Sequence, residues 1–379
     1  MPFNVLCMLD SLNRGGAEML SLDVCRNAKA AGLEITFVAS GGGDLEVDFA
    51  NSGVDFVRLQ RRLPVDPALV FRLRKIISSR DVSIVHAQQA VEAIHLWLAT
   101  RGTGVKCVMS LQNYILDEKN RLATKFIVPK MDAICPVSKS MQDWFKTGEG
   151  ITPDERFHVL YNVVDLARLK PTRPFAAAGL RSELGITNSD ILLGMVGNFY
   201  PDARKDQLTI CKALPDVMRE RHDCHFVFVG AVHDNAQEYF NQCLQHCHDA
   251  GILDRVHFAG KRADIPDLLR ELDLFVFSSV QEGLPVAAIE ALMLGVPMIV
   301  SDIPPLLEVI GWDTGEEPVA ETFRTGDFEN LAAKLKVMIC DREKRLELGE
   351  RARVQTINRF GIDAHLKNLC SLYKKLTDN

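Results

Sequence analysis

Short apolar runs of strand length, each followed by an amphipathic helical stretch, recur along nearly the whole of this 379-residue chain, and this alternation limits the fold more than any other feature. Asn4–Leu9, Ile35–Ala39, Ser83–Val85, Lys106–Met109 and Ala133–Val137 read as buried strands, with helical patterns such as Ala17–Ala30 and Ala90–Leu98 between them. The series repeats after Pro171, with strands at Ile191–Val196, His225–Val229, Val256–Phe258, Leu274–Phe277 and Met298–Val300. Strands that alternate with helices pair in parallel through right-handed crossovers. Two such series predict an α/β protein of two doubly wound domains, 1–170 and 171–360, joined near Ala167–Gly185, where Pro171 and Pro174 fall.

The bulk numbers narrow the function. The chain is 47% hydrophobic and 25% charged, as suits a globular protein with two cores. A net charge of −6 and a pI near 6.0 give no basic field, so nucleic acid is not an expected partner. The start, MPFNVLCMLDSLNRGGAE, lacks a basic region followed by a long apolar one, and no run of about 18 apolar residues occurs, so a cytoplasmic protein is expected. The ten cysteines read as reduced core and helix residues. Cys243 and Cys247 would share a helix face beside His246 and His248, but no second C-x-x-C or H-x₃-H completes a zinc site.

Ligands of doubly wound sheets bind beyond the carboxyl ends of the strands, where loops hand over to helix N-termini. The first such loop, DSLNRGGAEML, carries Gly15 and Gly16, where bare backbone amides could approach a phosphate; the same pair also serves in ordinary tight turns. A later loop, NFYPDARKDQL, places Arg204 and Lys205 at an expected helix start. Cations are disfavoured at that end of the helix dipole, so either an anion lodges there or both are solvated.

Two glutamates stand out in QEGLPVAAIEALMLGVPMIVSD: Glu282 ahead of Pro285, and Glu290 inside an apolar run. Pro285 suits a first helical position, with Glu290 about 7 to 8 Å along the axis. Were both glutamates on that helix, about 12 Å would separate them, beyond the roughly 5 to 9.5 Å of a glycosidase acid/base pair. They therefore serve two parts of one extended ligand, such as a ribose and a sugar ring, since a carboxylate can grip a vicinal diol. A salt-bridged buried Glu290 and a Glu282 near a helix cap are the structural alternative.

The E-x₇-E spacing of Glu282 and Glu290 resembles the signature of the retaining, nucleotide-sugar-dependent glycosyltransferases of family 4. SLNRGGAE, PVSKSMQDWF, LYNVVDLARLKP, VGNFYPDARKDQL and VHFAGKRADIPDLL are similar to other stretches of that family, and the similarity spans nearly the whole chain. It implies the GT-B fold: two Rossmann-like domains facing a central cleft, with a C-terminal helix, 361–379, crossing back to the N-terminal domain. Glu282 would contact the donor sugar beside the amides of Gly283 and Leu284, and Glu290 the ribose hydroxyls. Lys205 would grip the diphosphate, with Gly16 facing it from the N-terminal loop, and Lys261 and Arg262 would form the nucleobase pocket.

The chain departs from the family at three places. A basic residue that often follows the strand-ending glycine is here Asn198, leaving Arg204 as a candidate second cation. Gln112 stands where many members carry a donor-side histidine, and it and Ser138 are expected on the acceptor or sugar side. The turn often written N-G-V-D reads Asn162-Val163-Val164-Asp165.

No D-x-D pair occurs in the chain, and Lys205, Arg204 and helix N-termini can stabilise the departing diphosphate. No metal or other cofactor is expected beyond a UDP-, GDP- or ADP-sugar donor. The acceptor, a glycan or lipid-linked hydroxyl, is expected at the N-terminal domain. There Arg58, Arg61, Arg62, Arg72, Arg74, Lys75 and Arg80 interleave with apolar residues against Asp66 alone. Segment 58–80 reads either as a solvated helix face or as a peripheral contact with an anionic membrane. His86 and His95 read as packed or exposed helix and strand-end residues rather than catalytic bases. A nucleotide-sugar epimerase or hydrolase of the same fold, or a two-lobed sugar-binding protein, is the competing function.

Overall fold

The computed structural model describes residues 3–112, 114, 118–171 and 179–378; residues 172–178 of the expected linker, Pro174 among them, lie outside that set. The chain divides into two compact units, Met1–Val164 with Phe360–Asn379, and Asp165–Arg359.

The first unit holds six parallel strands: β1 (Phe3–Leu9), β2 (Leu33–Ala39), β3 (Asp55–Arg58), β4 (Ile84–Ala87), β5 (Lys106–Leu111) and β6 (Ala133–Pro136), in the order β3-β2-β1-β4-β5-β6. Central β1 is buried from Val5 to Leu9, with Leu6 opposite Thr36 on one side and Val85 on the other. Short β3 forms the edge and is half-exposed, so its DFVR run lacks the apolar signal of the inner strands. The helix Ile362–Thr377 belongs to this unit and places Ile362, Leu366, Leu369, Leu372 and Tyr373 in its core beside Leu20 and Val24. Those residues recur at helical spacing, and each buried side chain contributes about 1.5 to 3 kcal/mol before ordering costs.

The second unit repeats the plan with β7 (Ile191–Val196), β8 (Cys224–Val229), β9 (Val256–Phe258), β10 (Leu274–Phe277), β11 (Met298–Ser301) and β12 (Glu321–Phe323), in the order β12-β11-β10-β7-β8-β9. All pairings are parallel. The loops leaving β7 and β8 run in backbone contact: a Cβ on Gly230 would lie 2.2 Å from the Gly197 carbonyl oxygen, which requires glycine there.

Two local expectations are corrected. Pro285 is the N-cap, extended at φ −75° and ψ 111°, and the helix begins one residue later at Val286. Glu282 therefore lies in the preceding loop, and only Glu290 is on the helix. Arg204 and Lys205 likewise precede the helix Gln207–Glu220 rather than opening it; Asp206 is the N-cap and accepts from Thr209 N at 3.2 Å. A carboxylate at the positive end of that dipole removes the conflict the sequence posed.

Candidate active site

In the second unit the strand order reverses between β7 and β10, and the loops beyond their carboxyl ends meet. Segment 204–206 pairs antiparallel with 278–280: Asp206 N donates to Ser278 O at 3.0 Å, Val280 N donates to Arg204 O at 2.9 Å, and Lys205 faces Ser279. This short ladder brings the Lys205 ammonium onto Glu282 Oε1, in an ion pair whose side chains are only 15% and 10% exposed. The same ammonium lies 4.5 Å from the centre of the Phe277 ring, a cation–π contact on its apolar side. Ser279 Oγ reaches Glu282 Oε1 at 2.7 Å and Arg204 O at 2.6 Å. Ser301, at the end of neighbouring β11, accepts from Ser279 N at 3.0 Å and donates to Ser279 O at 2.7 Å.

Arg204 does not join that pair. Its guanidinium is bound to Asp202, with Nη2 2.7 Å from Oδ2, and lies 4.8 Å over the Tyr200 ring. The preceding Ala203 is held at φ 51°, a left-handed conformation uncommon for alanine. Asn198 Oδ1 accepts from Ala231 N at 2.9 Å and so ties together the loops that leave β7 and β8.

Glu290 sits on the helix Val286–Met293 and accepts from Arg168 Nη1 at 2.6 Å. Gly283 and Leu284 are buried in the turn between Glu282 and that helix. After β9, Lys261 is exposed, whereas Arg262 is engaged by Asp264 at 2.8 Å and Glu183 at 2.7 Å.

In the first unit Gly15 is the N-cap of the helix Gly16–Asn27. Glu18 of the first turn lies over it, so that a Cβ on Gly15 would come 2.6 Å from Glu18 Oε2. Gln112, just past β5, donates from Nε2 to Gln88 Oε1 at 2.8 Å. Ser138 caps the helix Lys139–Gly148, its Oγ accepting from Met141 N at 3.1 Å. Both histidines are packed: His86 bridges Ser110 Oγ at 2.9 Å and Tyr373 OH at 2.7 Å, and His95 Nε2 accepts from Asp66 N at 2.9 Å. Burial pushes His86 down to about 3.

Sequence reasoning passed over a second cluster, where the order of the first sheet reverses between β1 and β4. Asp10 is gripped by Arg61 and accepts from Ser40 Oγ at 2.6 Å, while its backbone N–H donates to Glu92 Oε1 at 3.0 Å. Burial, and then the nearby Asp10 charge, push the Glu92 carboxyl up to about 7. A polar residue directly after a strand, as in LCMLD, was the available signal. Ser279 carried the same one in LFVFSS.

Within segment 58–80, Asp66 caps the helix Pro67–Ser79, whose Leu69, Leu73 and Ile77 face inward. Carboxylates from outside the segment engage three of its seven cations: Glu46 with Arg58, Asp10 with Arg61, and Asp55 with Arg80. Arg62, Arg72, Arg74 and Lys75 are in no ion pair among the described residues, and Phe71 beside them is 71% exposed. No described helix is long and apolar enough to cross a membrane.

The chain matches the model for glycosyl transferases group 1 over residues 179–355 and the model for glycosyltransferase family 4 over residues 14–168. It is 26% identical over 361 residues to N-acetyl-alpha-D-glucosaminyl L-malate synthase of Bacillus anthracis, covering 91% of this chain and 90% of that one. It is also 26% identical to the UDP-Gal:alpha-D-GlcNAc-diphosphoundecaprenol alpha-1,3-galactosyltransferase of Escherichia coli, over 63% of this chain and 62% of that one. The crystal structure of Anabaena HepE in complex with UDP and glucose shares the fold, with a TM-score of 0.83 at 19% identity over 97% and 98% of the two chains. Two family models, one on each unit's sequence, and a doubly wound fold in both units lead to one conclusion: the chain belongs to the glycosyltransferases of the family-4, GT-B type.

Proposed function

We propose that this glycosyltransferase moves a hexose-type sugar from a nucleoside-diphosphate sugar to a hydroxyl of a glycan or lipid-linked acceptor, with retention of configuration and without a metal. The observation that carries this reading is the largely buried Lys205–Glu282 pair at the switch point of the second sheet. Lys205 supplies the cation for a departing diphosphate, and Glu282 the acceptor for sugar hydroxyls. Glu290 grips the ribose through Oε2, since Arg168 takes Oε1. Arg204, neutralised by Asp202, is the weaker candidate for a second phosphate contact. No enzymic nucleophile is invoked: the leaving phosphate oxygen takes the acceptor proton on the face where the new bond forms.

The name of the E. coli relative, which pairs a UDP-sugar with a diphosphoundecaprenol-linked acceptor, supports a role in cell-surface polysaccharide or glycolipid synthesis. So do the exposed Arg62, Arg74, Lys75 and Phe71, which suit peripheral contact with an anionic membrane surface. Thermal shift against UDP-, GDP- and ADP-sugars tests the donor: a true donor raises the melting temperature with concentration, and no response from the whole panel overturns the reading. Recovery of a glycosylated acceptor separates transfer from epimerisation or hydrolysis.

A further inference from the structure

We infer that Ser279, clamped by Ser301, is a positioning residue that holds the Glu282 carboxylate when a donor diphosphate draws Lys205 away from it. This inference rests on the proposed diphosphate role of Lys205.

Ser279 Oγ has a single proton and three acceptors in reach: Arg204 O at 2.6 Å, Glu282 Oε1 at 2.7 Å and Gln281 O at 3.3 Å. It serves one of them fully at a time. With Lys205 on Glu282, the carboxylate already has a charged partner, and the hydroxyl can remain on the Arg204 carbonyl. A diphosphate competing for the ammonium changes the balance. Glu282 would then be a largely buried carboxylate without its cation, and burial of an uncompensated charge is costly. Rotation of the serine hydroxyl onto Oε1 supplies a charge-assisted hydrogen bond in its place. The carboxylate stays where the sugar needs it, and the lysine is released to the phosphate.

The pivot of that rotation is fixed from two sides. Ser301 clamps the backbone N–H and the carbonyl of Ser279 from β11, and the pairing with segment 204–206 holds the other edge. Both serines are fully buried, so neither contacts substrate; they act through Glu282.

The test is calorimetric binding of the nucleoside diphosphate and its sugar conjugate, using whichever of the UDP, GDP and ADP pairs binds wild type. The proteins are wild type, Ser279→Ala, Ser279→Thr, Ser301→Ala and Glu282→Ala. The expected result is that Ser279→Ala binds the free diphosphate within about twofold of wild type but loses about tenfold or more of the added affinity contributed by the sugar. Ser279→Thr, which keeps the hydroxyl, restores most of that increment. Ser301→Ala leaves the hydroxyl but frees its pivot, and falls between; it carries the comparison if Ser279→Ala does not fold. If Ser279→Ala keeps the sugar increment while Glu282→Ala loses it, the serine is only structural and the site reading stands. If Glu282→Ala keeps it too, or if no nucleotide binds, the site reading fails and this inference with it.

Discussion

Arg168, just past the start of the second unit, donates to Glu290 across 2.6 Å, and both side chains are about nine-tenths buried. Removing one member of a buried pair strands the other charge, at about 3 to 5 kcal/mol. Arg168→Ala should therefore lower stability by about that amount, whereas Arg168→Ala combined with Glu290→Gln should recover part of the loss. Denaturant unfolding of the single and double variants measures the coupling. Strict additivity would mean that the pair holds nothing in place.

Three variants separate the proposed donor contacts. Glu290→Ala should weaken binding of the free nucleoside diphosphate as well as the donor, since both carry the ribose. Glu282→Ala should leave the diphosphate nearly unaffected and lower turnover. Lys205→Ala should cost roughly 10² to 10³ in rate, with a smaller effect on donor affinity. Calorimetry beside steady-state kinetics reads all three, and exchanged phenotypes for the two glutamates would exchange their roles.

Transfer should persist in excess EDTA. Basic side chains can supply the charge stabilisation that a divalent ion provides elsewhere. Loss of activity on chelation, restored by Mg²⁺ or Mn²⁺, would refute the electrostatic assignment.

The Glu92 carboxyl titrates near 7 in the folded protein against 4.5 ordinarily. Between those values the native state binds the extra proton, so this group's contribution to stability falls as pH rises and is fully lost above about 7. Glu92→Gln keeps an acceptor for Asp10 N without the charge. It should melt higher than wild type at pH 8, by up to about 3 kcal/mol in stability, and no higher at pH 4.5. An equal difference at both pH values would place the effect elsewhere.

The inner strands were legible because burial on both faces leaves unbroken apolar runs. Ile191–Val196 and Leu274–Phe277 need no adjustment in the structure. The edge strands β3 and β12 were passed over because DFVR and ETF each open on a carboxylate and carry no apolar run, whereas the edge strand β9, Val256–Phe258, lacks such a charge and was placed. Lys205, Glu282 and Glu290 could be picked out as misplaced charges, but their partners could not. Glu282 meets Lys205 across 77 residues, and Glu290 meets Arg168 across 122. Ser279 could be seen as a polar residue after a strand, but its contacts with Ser301 and the Arg204 carbonyl join segments apart in sequence that no local pattern links. Pro285 was displaced by one position because its fixed φ suits an N-cap as well as a first turn.

The helix Ile362–Thr377 completes a core whose other members lie before residue 165. During synthesis, the first unit must therefore wait with part of its apolar interior uncovered while all of the second unit is made. At about 5 to 20 residues per second, the nearly 200 intervening residues take on the order of ten seconds or more. A nascent chain of this kind is exposed to aggregation for that whole interval. Loss of the last helix would thus injure the domain made first rather than the one beside it in sequence.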